Sequence, residues 1–576
     1  MPCRLAGHFF SMGVVVVVVA RRIANWAAAG AFLLLAIGWL LPNHYVPWLT
    51  AYQDFSSFAA LIALSVFLVL RNEADVLPGY VLLAVLVAFL PLLQIGGRGY
   101  FAGDAWIAFL YLLGFCWSLV VGFNLNFREN DSSRFFIYGA WCFLSGAVLS
   151  GLIAVAQWLG VGGGIWIVDL PPSGRPFANF GQPNNLALML VLGLVAAWYL
   201  FEVRFTGAFF SAFVSAFLLF AVALSQSRTP WVFAVAVSVF WIWKCRSVGR
   251  LSISYLLVWV VLYGILIFVL PYVSDFLFLS SADPLQRASA LERLDMWSQL
   301  FHAVIKGPLW GYGWNQVSVA QVSVTLTYPV GMPTEHSHNI LLDFLVWNGP
   351  VIGGMLIVFS TGGLIWLCLR VRTIEGVLAL VAGGALITHG MLEYPLEYAF
   401  FLLPLGLILG AVSKECSAKI IVRIPKWFSG GLTVSAVAVM ALIWSEYRVI
   451  EDSHRQMRFE NARLAEWQGG VATPEVLILT QLREYLRFAR TFPHPDMSEE
   501  ELEWMRKVAY RYPYPSSIYR YALASGLNGK TQQARDHLRI LQSLHGNVLY
   551  REGLGVMRGL VATYPQLGDV VSGMPD

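Results

Sequence analysis

The chain has 576 residues, 58% of them hydrophobic and 12% charged, with a mean hydropathy of +0.65. A soluble domain carries about twice that share of charge, so the composition excludes an ordinary soluble enzyme and fits an all-α, polytopic helical membrane protein. The formal net charge of +4 is too small to suggest nucleic acid as a partner, and charge placement carries more information than charge sum.

The first residues hold Arg4, a valine run ending in Ala20, then Arg21 and Arg22. This resembles a signal peptide but lacks a clear small-residue cleavage site and leads directly into an apolar span. It reads as a cytoplasmic lead-in, or as residues upstream of a true start at Met12. A spanning helix needs about 20 apolar residues. On that criterion spans are expected at 23–42, 54–70, 76–93, 105–124, 135–160, 184–201, 207–224, 230–243, 253–271, 350–369, 376–392, 399–412 and 428–445, about thirteen in all. With the N-terminus in the cytoplasm, the inner loops hold Arg71, Arg128, Arg134, Arg204, Lys244, Arg246, Arg250, Arg370, Arg372, Lys414, Lys419, Arg423 and Lys426. That bias is the positive-inside pattern. Four segments follow: N-terminal spans over 1–271, an outer loop over 272–349, C-terminal spans over 350–445 and an outward-facing tail over 446–576.

Basic residues on the outer side work against this pattern and call for a function. They include Arg98, Arg175, Arg228, Arg287, Arg293 and Lys306. Arg175 opens the run to Asn185, where Gln182-Pro183-Asn184-Asn185 precedes a span, so that Asn184 or Asn185 can cap the helix. A helix N-terminus beside an arginine suits an anion; a plain Pro/Gly/Asn turn is the alternative. Arg228, in Ser225-Gln226-Ser227-Arg228-Thr229, lies between two spans with hardly any loop, and must snorkel, pair or bind something. A guanidinium suits phosphate because its planar fork donates two hydrogen bonds at once. Arg287 and Arg293 are further candidates, although Glu292 and Asp295 allow local pairing on a solvated helix face.

The long polar loop ends in Glu335-His336-Ser337-His338-Asn339. Imidazole titrates near neutral pH, so a histidine at a water–membrane boundary is a candidate general base. Asn339 can cap the helix that follows and fix His338, while His336 lies farther into the loop. Glu393 and Glu397, in Glu393-Tyr394-Pro395-Leu396-Glu397-Tyr398, sit at the outer ends of two spans. One can orient an imidazole or pair an arginine, or both can simply cap a turn. The six cysteines, Cys3, Cys116, Cys142, Cys245, Cys368 and Cys416, fall in no outer segment and show no metal-ligand spacing, against a disulfide framework or zinc site. No P-loop and no Asp-x-Asp element is present, so neither a nucleotide cofactor nor a metal is implied. In the tail, Ser516 to Gly546 reads as two helices turning at Gly526-Leu527-Asn528-Gly529, a hairpin of the tetratricopeptide type, after a helix broken by Pro513 and Pro515.

Together these segments resemble the O-antigen ligase/polymerase superfamily, and within it the pilin-glycosylating O-oligosaccharyltransferases of the PglL type. The likeness rests on Pro42-Asn43-His44-Tyr45-Val46-Pro47-Trp48, on Phe177 to Asn185, on Ser227-Arg228-Thr229, and on His336 to Asn339 followed by Gly349. It implies a multi-pass enzyme of the bacterial inner membrane with its active site facing the periplasm. Such an enzyme moves a glycan en bloc from undecaprenyl diphosphate to a Ser or Thr hydroxyl of an exported, pilin-like protein. In that reading His338 is the base, His336 shapes the acceptor groove, and Arg175, Arg228, Arg287 and Arg293 attend the diphosphate. Gln182, Asn184, Asn339, Glu393 and Glu397 support them, without cofactor or metal. A lipid A–core O-antigen ligase or an O-antigen polymerase uses a similar donor. A non-catalytic flippase is a third reading, against which stands the lack of an inverted repeat or of paired broken helices.

Overall fold

The computed structural model describes residues 22–71, 75–97, 99–125, 130–162, 164–170, 174–244, 249–279, 289–462 and 472–575. The opening segment with Arg4 and Met12, and also Arg98 and Arg287, lie outside the described residues. Every expected span overlaps a helix, although that at 76–93 opens in a strand and becomes helical only from Gly79. Among the described residues nine helices are long and apolar enough to cross a membrane: Arg22–Leu40, Ala51–Val69, Ala102–Phe123, Phe135–Trp158, Pro183–Glu202, Ala208–Ser225, Ile253–Phe276, Ile340–Arg370 and Lys426–Glu460. Gly79–Leu93, Thr229–Lys244, Ile374–Gly390 and Ala399–Glu415 are shorter apolar helices. The chain is thus a multi-pass helical membrane protein.

Two boundaries differ from expectation. The span expected at 350–369 belongs to a helix that already starts at Ile340, directly after the His-Ser-His-Asn motif, and breaks at Gly349. Gly349 has φ +73°, and a Cβ there would lie 2.0 Å from the Leu309 carbonyl oxygen. Only glycine fits, and Pro350 behind it lacks the N–H that would continue the ladder. The last span runs past residue 445 because ion pairs one turn apart, Arg448 with Glu451 and Arg455 with Asp452, carry the helix on into its charged part. The reading also missed a short two-stranded antiparallel sheet, Asp75–Pro78 against Ile420–Ile424. Lys426, 2.9 Å from Asp75, and the Ser429 hydroxyl, also at 2.9 Å, fasten it.

The chain divides into two compact units. One comprises Met1–Val87, Tyr111–Gln286 and Gly363–Leu442; the other comprises Ala88–Leu110, Arg287–Gly362 and Ile443–Asp576. In the first, Pro183–Glu202 is the central helix, buried almost throughout and packed by Phe135–Trp158, Ala208–Ser225 and Ile374–Gly390. Gly193 makes that closeness possible, since a Cβ there would fall 2.2 Å from the Cβ of Ala147. Apolar surface gains nothing by leaving lipid, so spans associate through such small-residue contacts.

In the second unit the long polar segment is largely helical, as Ser289–Lys306 and Val317–Val324. The tail stacks Thr480–Arg490, Glu499–Arg511, Pro515–Leu527 and Thr531–Leu560, the last kinked at Gly546. The hairpin turns where the sequence indicated, and Ala522, Ala524, Ala534, Leu538 and Leu541 are buried in it. A capping box between Ser498 and Glu501 starts the helix Glu499–Arg511.

Candidate active site

Two polar constellations carry the candidate residues, one in each unit. In the first unit, the Arg175 Nε donates to the Ser225 carbonyl (3.0 Å), and its Nη2 donates to the Gln226 carbonyl and the Asn184 Oδ1, both at 3.3 Å. Asn184 in turn donates to Glu393 (2.8 Å), and the Gln182 amide donates to the other oxygen of that carboxylate (3.4 Å). Four of the residues singled out in the sequence thus form one network across three distant segments. Asn184 does not cap the helix Pro183–Glu202: Gln182 occupies the cap position and Pro183 the first turn, which frees the Asn184 amide to bridge Arg175 and Glu393. Arg228, half-buried, follows Gln226 in the three-residue link between Ala208–Ser225 and Thr229–Lys244. Arg175 therefore holds the loop that carries Arg228. Glu397 lies in the 3₁₀ turn Pro395–Glu397 just beyond Glu393.

A second layer braces this segment. The His44 Nε2 lies 2.7 Å from the Asn179 carbonyl, and Asn179 donates to the Leu40 and Trp166 carbonyls. Gln157 accepts from the amides of Phe177 and Ala178. Burial pulls the His44 imidazole below its ordinary pKa, which favours its neutral form. His44 is thus a clamp between the Pro-His-Pro-Trp element and the Phe177–Asn185 segment.

In the second unit, the His loop is built around Ser337, which is fully buried. Its N–H donates to Asp343 (3.0 Å), its hydroxyl to the Asn339 carbonyl (2.8 Å), and its carbonyl accepts from the Trp297 indole (2.7 Å). Asn339 caps the helix from Ile340, as expected, accepting from the amides of Leu341 and Leu342 at 3.1 and 3.3 Å. Such a cap contributes about 1 kcal/mol. His338, pinned between these anchors, has φ +56°, a left-handed backbone that few non-glycine residues adopt. The loop fixes the backbone and leaves the imidazole half-buried. His336 is set differently. Its carbonyl accepts from the Thr334 hydroxyl. Burial, then the charges of His338 and Arg511, push its imidazole down to about 3, so it stays neutral at physiological pH. Arg293 sits one turn before Trp297 on the helix Ser289–Lys306 that docks on this loop.

Other supports were invisible in the sequence. Gln321 accepts from the Thr334 amide (2.9 Å) and donates to Gln299 (3.0 Å) and the Met332 carbonyl (2.9 Å), fixing the approach to the motif. The Tyr514 hydroxyl donates to Glu335 (3.0 Å). Arg511 forks onto Asp104 with bonds of 3.0 to 3.2 Å, and Asp104 also accepts from Gln316 (3.1 Å). Burial alone would lower the Arg511 pKa, but the Asp104 carboxylate holds it above its ordinary value. The C-terminal domain thus contributes directly to the shell of the His loop. Among the described residues no three His, Cys, Asp or Glu side chains gather as a metal site requires.

Comparison with known proteins bears on this arrangement. Residues 213–359 match the O-Antigen ligase family, and residues 377–552 match the family described as Virulence factor membrane-bound polymerase, C-terminal. The chain is 31% identical over 525 residues to a General O-oligosaccharyltransferase of Acinetobacter baylyi, covering 89% of this chain and 91% of that one. It is 25% identical over 515 residues to a ComP-specific O-oligosaccharyltransferase of the same organism, covering 87% and 92%. No solved structure matches the chain.

Proposed function

Because the chain belongs to the O-antigen ligase superfamily, as one of its O-oligosaccharyltransferases, we propose that it moves a preassembled glycan from undecaprenyl diphosphate to Ser or Thr hydroxyls of an exported protein such as a pilin. The observation that carries this reading is the His loop: a histidine with a left-handed backbone, immobilised by a helix cap and a buried serine. His338 takes the proton of the acceptor hydroxyl as its oxygen bonds to the anomeric carbon. The bond from that carbon to the diphosphate oxygen breaks, and the diphosphate leaves with the electron pair. Arg228, on the loop that Arg175 organises, stabilises the leaving charge with Arg175 itself, and Arg293 and Arg287 are further contacts for the donor. Glu393 and Asn184 keep the Arg175 fork oriented, with Gln182 and Glu397 in support. His336, neutral and partly buried, shapes the acceptor groove.

Replacing Arg228 by alanine should slow transfer on the order of 100-fold. Arg228→Lys should recover only part, since lysine keeps the charge but loses the fork. Normal transfer by Arg228→Ala would refute the diphosphate role. The reaction is tested by reconstituting the purified protein with polyprenyl-diphosphate glycan and offering a pilin and a lipid A–core acceptor side by side. Glycosylated pilin is expected; glycan on lipid A–core alone would make it a ligase.

The basic residues of the inner loops support an inner-membrane protein whose site and tail face the periplasm. Reporters fused after Gln286 and after Glu460 should both be active only as periplasmic reporters. Cytoplasmic signal at both positions would reverse the orientation.

A further inference from the structure

The second unit holds a cavity of about 530 Å³ that the transfer reaction described above does not use. Its aromatic lining comes from Tyr100, Phe101 and Trp504. Its lining also holds three cations, Arg483, Arg487 and Lys507, and three carboxylates, Glu484, Glu500 and Glu503, so its formal charge cancels. Several of these groups are already ordered. The Trp504 indole donates to Glu484 (2.8 Å), the Arg487 guanidinium lies 4.3 Å over the Trp504 ring, and Arg506 forks onto Glu503 with two bonds of 2.7 Å.

The lining selects the class of ligand. A diphosphate calls for net positive charge, which this lining lacks. A purely apolar ligand would match the apolar part of the lining but would leave its six charged side chains unused. Sugar hydroxyls each donate and accept, which guanidinium and carboxylate groups in one lining satisfy. The apolar face of a pyranose needs an aromatic surface, which Trp504 and Tyr100 supply. The volume lies within the range of small-molecule sites, about 300–1,000 Å³.

The location selects which sugars. Trp504 and Arg511 lie on the same helix, seven residues apart, which is about 10 Å at 1.5 Å per residue. The Arg511 end is the end next to Glu335 and the His loop. On the proposed transfer reaction, on which this inference rests, the reacting sugar sits at the His loop and the rest of the glycan extends from it. We propose that this cavity is a subsite for neutral sugars of the donor glycan distal to the one transferred at its anomeric carbon, so that it reads glycan length.

The test uses the full-length protein in detergent and two polyprenyl-diphosphate donors, one carrying a single N-acetylglucosamine and one its β-1,4-linked tetrasaccharide. Trp504→Ala should lower the ratio of kcat/KM for the tetrasaccharide over the monosaccharide about tenfold, equivalent to roughly one stacked ring. Arg487→Ala, at an exposed position that endangers folding least, should lower the same ratio several-fold. Calorimetry with free chitotetraose should show binding to the parent protein that both variants weaken. If Trp504→Ala loses both donors alike, Arg487→Ala decides: a selective loss upholds the subsite and an unchanged ratio overturns it. If the parent binds chitotetraose through Arg487 yet transfers neither donor, the transfer reading fails while the subsite stands. Unchanged ratios and unchanged binding in both variants overturn the subsite alone.

Discussion

Replacing His338 by alanine is expected to slow glycan transfer by about 100- to 10,000-fold, the usual loss when a general base is removed. The protein should still insert and fold, because the backbone anchors made by Ser337, Asn339 and Trp297 hold the loop. His336→Ala should cost less. His336 stays neutral down to about pH 3, so its charge state is constant across the physiological range.

His336 does add a separate effect whose sign is fixed. Its folded pKa lies below its ordinary 6.5, so its contribution to stability is complete above about 6.5 and is lost as pH falls from there toward 3, where the unfolded chain takes up a proton that the native loop refuses. His537, held down to about 4 by burial, acts in the same direction. Melting temperature recorded at each pH therefore distinguishes loss of the base from loss of the fold. A His338→Ala enzyme near the parental rate would remove His338 from the role.

Much of this site was legible because its signals are local. The Asn339 cap depends on residues two and three positions on, and the Gly349-Pro350 break is written in two adjacent residues. The hairpin at Gly526–Gly529 and the spans themselves follow from composition and spacing. The network of Arg175, Asn184 and Glu393 was half legible. Each residue stood out as polar beside lipid, but their pairing joins segments some two hundred positions apart, and local capping rules misassigned Asn184.

The remaining supports were hidden for a physical reason. Asp104 lies in the first turn of a span and Arg511 in the last turn of a helix, where helix dipoles favour a cation, so neither position signals a partner. Gln299 and Gln321 carry no charge and belong to helices within a segment read as loop. Nothing in spacing or periodicity ties Tyr514 to Glu335. Such contacts exist only once the tail has folded back on the loop, and in a single sequence they leave no pattern.

Arg511→Met supplies the second large effect. Asp104 is almost fully buried, and Arg511 has only 12% of its side chain exposed. Removing one partner of such a pair leaves a carboxylate stranded without its counter-charge, which costs about 3–5 kcal/mol. The melting temperature of the solubilised protein should fall accordingly. Arg511→Lys should recover only part, because the bidentate fork onto both Asp104 oxygens is lost. Adding Asp104→Asn to Arg511→Met removes the stranded charge, so the double variant should be more stable than Arg511→Met alone. Because Arg511 touches no reacting atom, it acts as a positioning residue, through the helix end that also presents Tyr514 to Glu335. Arg511→Lys should therefore lower kcat more than it raises KM for the donor, and Tyr514→Phe should do the same more weakly without lowering the melting temperature. Strictly additive losses of stability in the Asp104 and Arg511 variants would show that the pair is not coupled and that the tail does not brace the His loop through it.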